Sequence, residues 1–184
     1  MAVAGMLFSL FGIVALATES PDVVFLKSWI YIWFGYIAWL LFWNPSVRVS
    51  ESGITVDNIF RKTELNWSAI SRIDTKYSLT LETPEGIIRA WAAPAPSRYA
   101  AFMANRTESK HLPESSYVGE GLIRPGDLTT SDSGVAAVVI RRHWEFLRDS
   151  GRLNDQIQVS QSVVLWRIWI LAALSVAAVI GFVG

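Results

Sequence analysis

The chain has 184 residues, 16 acidic against 16 basic side chains, no cysteine, nine tryptophans and a mean hydropathy of +0.33. The missing cysteines exclude disulfides, thiolate metal sites and thiol nucleophiles, and balanced charge argues against nucleic acid as the main partner. So apolar a composition points to a membrane protein that carries one small soluble domain.

Ala2 to Ala17 is an uncharged apolar run of 16 residues, at the short end of what crosses a hydrocarbon core of roughly 30 Å. Ala15-Leu16-Ala17 also has the look of a signal-peptide cleavage site, but no Lys or Arg precedes the run, so a retained helix is the expectation. The acidic turn Thr18 to Asp22 follows; Pro21 can open the next helix and Ser20 or Thr18 cap it. Val23 to Trp43 is apolar again. Trp29, Trp33, Trp39 and Trp43 suit the two headgroup boundaries, and Lys27 near the outer end can snorkel or mark an ion pathway. With five residues between the two runs, residues 1–43 read as a transmembrane hairpin ended by Asn44-Pro45.

From Asn44 to Pro96 the apolar residues recur at every second position between turn signals, the pattern of a small bent antiparallel sheet of five or six short strands. Val47 and Val49 precede a tight turn at Ser52-Gly53; Ile54, Val56 and Ile59 return; Leu65 and Trp67 carry the next strand, with Ile70 and Ile73 after it. Leu79 and Leu81 lead to a turn at Pro84-Glu85-Gly86, and Ile87, Ile88, Ala90 and Trp91 complete the last hairpin. Asn58 can mark a bulge or turn.

The runs NPSVRVSESGITVDN, NWSAISRID and GIIRAWAAPAP, set behind an apolar hairpin, resemble the bacterial pleckstrin-homology-like (PH-like) domains of actinobacterial membrane proteins of the low-molecular-weight protein antigen type. That resemblance rests on turn Gly53, Trp67 and Trp91 and spans the middle third of the chain. It implies a curved sheet capped by a helix, with a binding or scaffolding role and no reaction.

Pro96 to Met103 suggests a short helix, opened by Ser97 as cap, that closes the domain segment 44–104, and residues 105–133 form a polar, irregular loop. A helix is expected over 134–151, with Ala136, Ile140, Trp144 and Leu147 on its inner face, Arg141 and Arg142 away from it, and Gly151 as its stop. Residues 152–162 read as a polar linker to a third span over 163–184, which carries Arg167 near one end. In that span Ala173, Ala177 and Gly181 form a small-residue stripe fit for close helix packing, against either this chain's own hairpin or a partner helix. The expected fold is thus an α+β membrane protein with three transmembrane helices and an inserted PH-like sheet domain capped by a helix.

Almost all Lys and Arg lie between Asn44 and Ser162, so the positive-inside rule puts the soluble domain in the cytoplasm, beneath the plasma membrane. His111 and His143 stand far apart with no carboxylate cluster nearby, Gly119, Gly121 and Gly126 lack the context of a phosphate loop, and no triad is legible. No catalytic residue, metal or cofactor is expected. The turn Ser50-Glu51-Ser52-Gly53 replaces the basic hairpin with which eukaryotic relatives grip lipid headgroups, leaving Arg61-Lys62 and Arg141-Arg142 as candidate anionic-lipid contacts. The expected function is that of a non-catalytic accessory subunit docked on a larger membrane complex. An actinobacterial respiratory supercomplex of cytochrome bc and aa3 type is one such host by analogy of size. The alternative is a stand-alone protein that binds lipid or a peptide.

Overall fold

In the computed structural model, residues 2–75, 77–94, 117–118, 122–123, 132–153 and 156–183 are described. By their contacts they fall into two compact units, one of Met1–Pro45, Ile59–Arg61 and Val163–Gly184, the other of Ser46–Asn58 and Lys62–Ser162.

The first unit is built on helices. α1 (Ala2–Ala15) has no charged residue and ends in a 3-10 turn, Leu16–Thr18. α2 (Pro21–Ala38) opens on proline, whose missing N–H costs nothing in a first turn. Ser20 holds the cap position without a side-chain bond. α2 continues as a π-turn, Trp39–Trp43, closed by the 2.9 Å bond from the Asn44 N–H to the Trp39 carbonyl. The last helix of the chain is Leu165–Val183, here α4.

Small residues set the packing. On α1, Gly5, Ser9 and Gly12 meet Ala38, Gly35 and Tyr31 of α2. A Cβ added to Gly5 would stand 2.6 Å from that of Ala38, and one on Gly12 would overlap the Tyr31 ring. The Ser9 hydroxyl donates to the Tyr31 carbonyl. Between α2 and α4, Trp33 Nε1 donates to Ser175 Oγ at 2.9 Å and the Tyr36 hydroxyl to the Arg167 carbonyl at 3.1 Å. These bonds matter most where no water competes.

Two helices are long and apolar enough to cross a membrane, Pro21–Trp43 with 23 residues and Leu165–Val183 with 19. The expected third does not qualify: the turn at Glu19 stops Ala2–Thr18, whose rise of about 26 Å falls short of a bilayer core.

The second unit holds the strands. β1 (Ser46–Val49), β2 (Gly53–Asp57), β3 (Arg61–Asn66) and β9 (Val159–Val163) form one sheet in that order; β4 (Arg72–Asp74), β5 (Ser78–Thr83) and β6 (Gly86–Pro94) form another. Pairing of Val47 with Val56 and of Ile54 with Leu65 puts the alternating apolar residues on one face. Asn58 joins the sheets, its side-chain amide donating to the Arg89 carbonyl at 2.9 Å and accepting from the Trp91 N–H at 2.8 Å. Between them lies a core of Ile54, Val56, Leu65, Trp67, Ile73, Leu79, Leu81 and Ile88, closed by Ala137 and Ile140 of α3 (Asp132–Asp149).

Several details depart from the sequence reading. The first hairpin turns through Glu51-Ser52, closed by bonds between Ser50 and Gly53, and Gly53 is needed because any Cβ would overlap the Leu65 carbonyl. Trp67 sits in a 3-10 turn, Trp67–Ala69, that the Asn66 side chain caps by accepting from the Ala69 N–H at 3.1 Å. Within the expected linker, Val159–Val163 is a strand, since Asn66 draws it in through three bonds to Gln156 and Gln158. Within the expected loop, β7 (Tyr117–Val118) pairs with β8 (Leu122–Ile123). The short helix near Ser97 lies outside the described residues. Gly151, at φ +64°, does end α3 as expected: the Gly151 and Arg152 N–H groups return to the Arg148 and Leu147 carbonyls.

Candidate interaction surfaces

The first hairpin is held rigidly. Trp67, buried at the root of the turn, donates its indole N–H to the Ser50 and Glu51 carbonyls at 3.1 and 3.0 Å, and the Ser50 hydroxyl bonds back to the Gly53 carbonyl at 2.8 Å. Beside this turn a shallow groove of about 590 Å³ runs over β2, β3 and the approach to β9, lined by Ser52, Thr55, Glu64, Asn66, Glu85 and Gln158 among others. Among the described residues its charged lining residues are the carboxylates of Glu85 and of Glu64, the latter paired with Lys62. An anionic headgroup would meet repulsion there, as the acidic turn already suggested.

The four basic candidates have different fates. Arg61 is exposed; Lys62, its neighbour on β3, is half-buried and its ammonium pairs with Glu64 at 2.5 Å. Successive residues of a strand point to opposite faces, so these two do not act as one patch. On α3, Arg142 is exposed. Arg141 is fully buried, and its guanidinium donates to the Ile73 carbonyl of β4 at 3.2 Å. Burial corrects its assignment as a lipid contact: it faces the core beside Ala137 and Ile140, one turn of helix from the stripe expected to exclude it.

The small-residue stripe of α4 also divides. Gly181 is buried with no room for a side chain against the Leu26 carbonyl, Ala177 is half-buried and Ala173 is exposed. Residues four apart drift by about 40° around a helix, so the stripe turns gradually from buried Gly181 to exposed Ala173. A second close packing, Gly5, Ser9 and Gly12 against α2, is absent from the sequence reading, although its small residues at three- and four-residue spacing are visible in the sequence.

His143 stacks on Trp67 with ring centroids 4.6 Å apart, an inward structural contact. Trp91, one of the residues that carried the family resemblance, is 54% exposed and lies outside the core. His111 and the glycines at 119, 121 and 126 fall outside the described residues. Among the described residues no three His, Cys, Asp or Glu side chains gather where a metal could bind.

No curated protein and no solved structure matches the chain. A family match covers the strands β1 to β6, and it speaks neither for an actinobacterial source nor for the antigen-type family. The strands β1 to β6, in two antiparallel sheets around one core, and a match to the bacterial PH domain over residues 44–114 agree: that stretch is a bacterial PH domain.

Proposed function

We propose that this is a non-catalytic integral-membrane accessory subunit, held in the plasma membrane by its helical unit, with its PH domain on the cytoplasmic side gripping a protein partner of a larger membrane complex. One observation carries the membrane half: the two long helices are apolar yet only 11% of the residues in each window are buried within the chain. Phe11, Trp169 and Phe182 are 74%, 72% and 82% exposed. A core helix of a soluble protein would bury such side chains, whereas lipid covers them at no cost. α1 then rests on α2 as a shorter membrane-embedded helix. PH domains commonly bind proteins or lipids, and a rigid, acidic first hairpin favours protein here. No residue speaks for a respiratory supercomplex in particular, so the host is left as a membrane complex.

Affinity purification of the full chain in mild detergent tests this reading. A stoichiometric complex that survives size exclusion supports it, and a lone chain that floats with vesicles favours the stand-alone alternative. Exposed Ala173 is the place to probe a partner helix: Ala173→Leu is expected to release the partner while leaving the chain folded, because its side chain is exposed.

A further inference from the structure

We propose that the outer face of α3 lies on the surface of an anionic bilayer, an inference that rests on the membrane reading above. α3 is apolar on two opposite faces. Inward it packs Ala137 and Ile140 into the core; outward it leaves Val135, Val139 and Phe146 at 51%, 50% and 56% exposure. Steps of four and seven residues bring these three back to one side of the helix, and exposed Arg142 falls within the same stripe. Just past the helix, the Arg152 guanidinium lies 5.7 Å from the centre of the Phe146 ring.

This is the make-up of a helix that beds shallowly in a headgroup layer, with branched and aromatic side chains sinking and arginines reaching phosphates. Charge agrees: among the exposed side chains between Val135 and Arg152 there are three arginines, 142, 148 and 152, and one acid, Asp149, which is bound to Arg148 at 2.9 Å; Glu145 is half-buried. Three apolar side chains are far less than the roughly 800 Å² per partner of a stable protein interface, yet they suffice for shallow insertion helped by cations. Ser150 to Val164 is all that separates α3 from α4 in the chain, a tether of at most about 50 Å. The site differs from the first hairpin, whose groove is acidic.

The chain has no cysteine, so single cysteines take a fluorophore cleanly. Full-length protein bearing bimane on Val139→Cys, with Phe146→Cys as a second position, would be reconstituted in phosphatidylglycerol-containing vesicles doped with a nitroxide-labelled lipid. Glu51→Cys in the acidic turn and Ile170→Cys in α4 serve as references. Quenching at 139 and 146 at least about twofold above that at 51, reduced by Arg142→Glu and in phosphatidylcholine alone, is the expected result. Quenching at 139 and 146 no greater than at 51 overturns the proposal while 170 remains quenched, and aqueous iodide then tells bare surface from a protein-covered one. An unquenched 170 would overturn the membrane reading itself.

Discussion

Gly53 and Gly86 each end a two-residue turn, yet different forces hold them. At Gly53 a methyl would overlap the Leu65 carbonyl; at Gly86, φ +143° with nothing within 4 Å, only the backbone conformation resists a side chain. Gly53→Ala is therefore expected to cost about 3 kcal/mol and Gly86→Ala about 1 kcal/mol in urea unfolding followed by tryptophan fluorescence. The neighbouring arginines of α3 make a similar contrast. Arg141→Met removes a buried bond to the Ile73 carbonyl and should cost about 1–3 kcal/mol, more than Arg142→Met at an exposed position, by the same measurement. Equal costs would place both arginines in one environment. Glycine turns and alternating Ile54, Val56 and Leu65 could be read from the sequence because they obey local rules. Arg141 could not be, because a buried arginine is indistinguishable from a solvated one until its carbonyl partner is known.

Among the elements, the helices and the first six strands follow from periodicity, and the Gly151 stop follows from conformational freedom alone. β9 was hidden. Its sequence, VSQSV, has too few apolar residues to announce a strand, and it is recruited by Asn66, more than ninety positions earlier. Asn66→Ala removes the cap of the 3-10 turn and the side-chain bonds to Gln156 and Gln158 together. Hydrogen exchange should then show faster exchange across 156–163 at a cost of about 1–3 kcal/mol, with β5 and β6 unaffected. Uniform loss of protection would instead mean that β9 is integral to the whole core. In the helical unit the small residues of α1 were overlooked because their partners, Gly35 and Ala38, lie on another helix. Gly12→Leu should loosen α1 from α2, read as a lost disulfide between Ala2→Cys and a cysteine scanned along the end of α2, while Phe11→Leu, on an exposed side chain, should leave it intact.

At the scale of the whole molecule, composition and the positive-inside pattern suggested a membrane protein with a small inserted domain, and the bacterial PH domain fits the inserted part. The identity of a partner was never legible, since recognition lives in surface shape and in the far side of an interface, neither of which leaves a pattern in one chain. Everything proposed about function depends on lipid, not water, covering the exposed apolar side chains of α2 and α4. A cysteine scan of α4 from Leu165 to Val183 in native membranes, labelled with a water-soluble maleimide, tests that dependence most directly. Lipid cover predicts an unbroken stretch of about 15 unreactive positions around the entire helix; reactivity returning every three or four residues, on the faces turned away from α2, would contradict it.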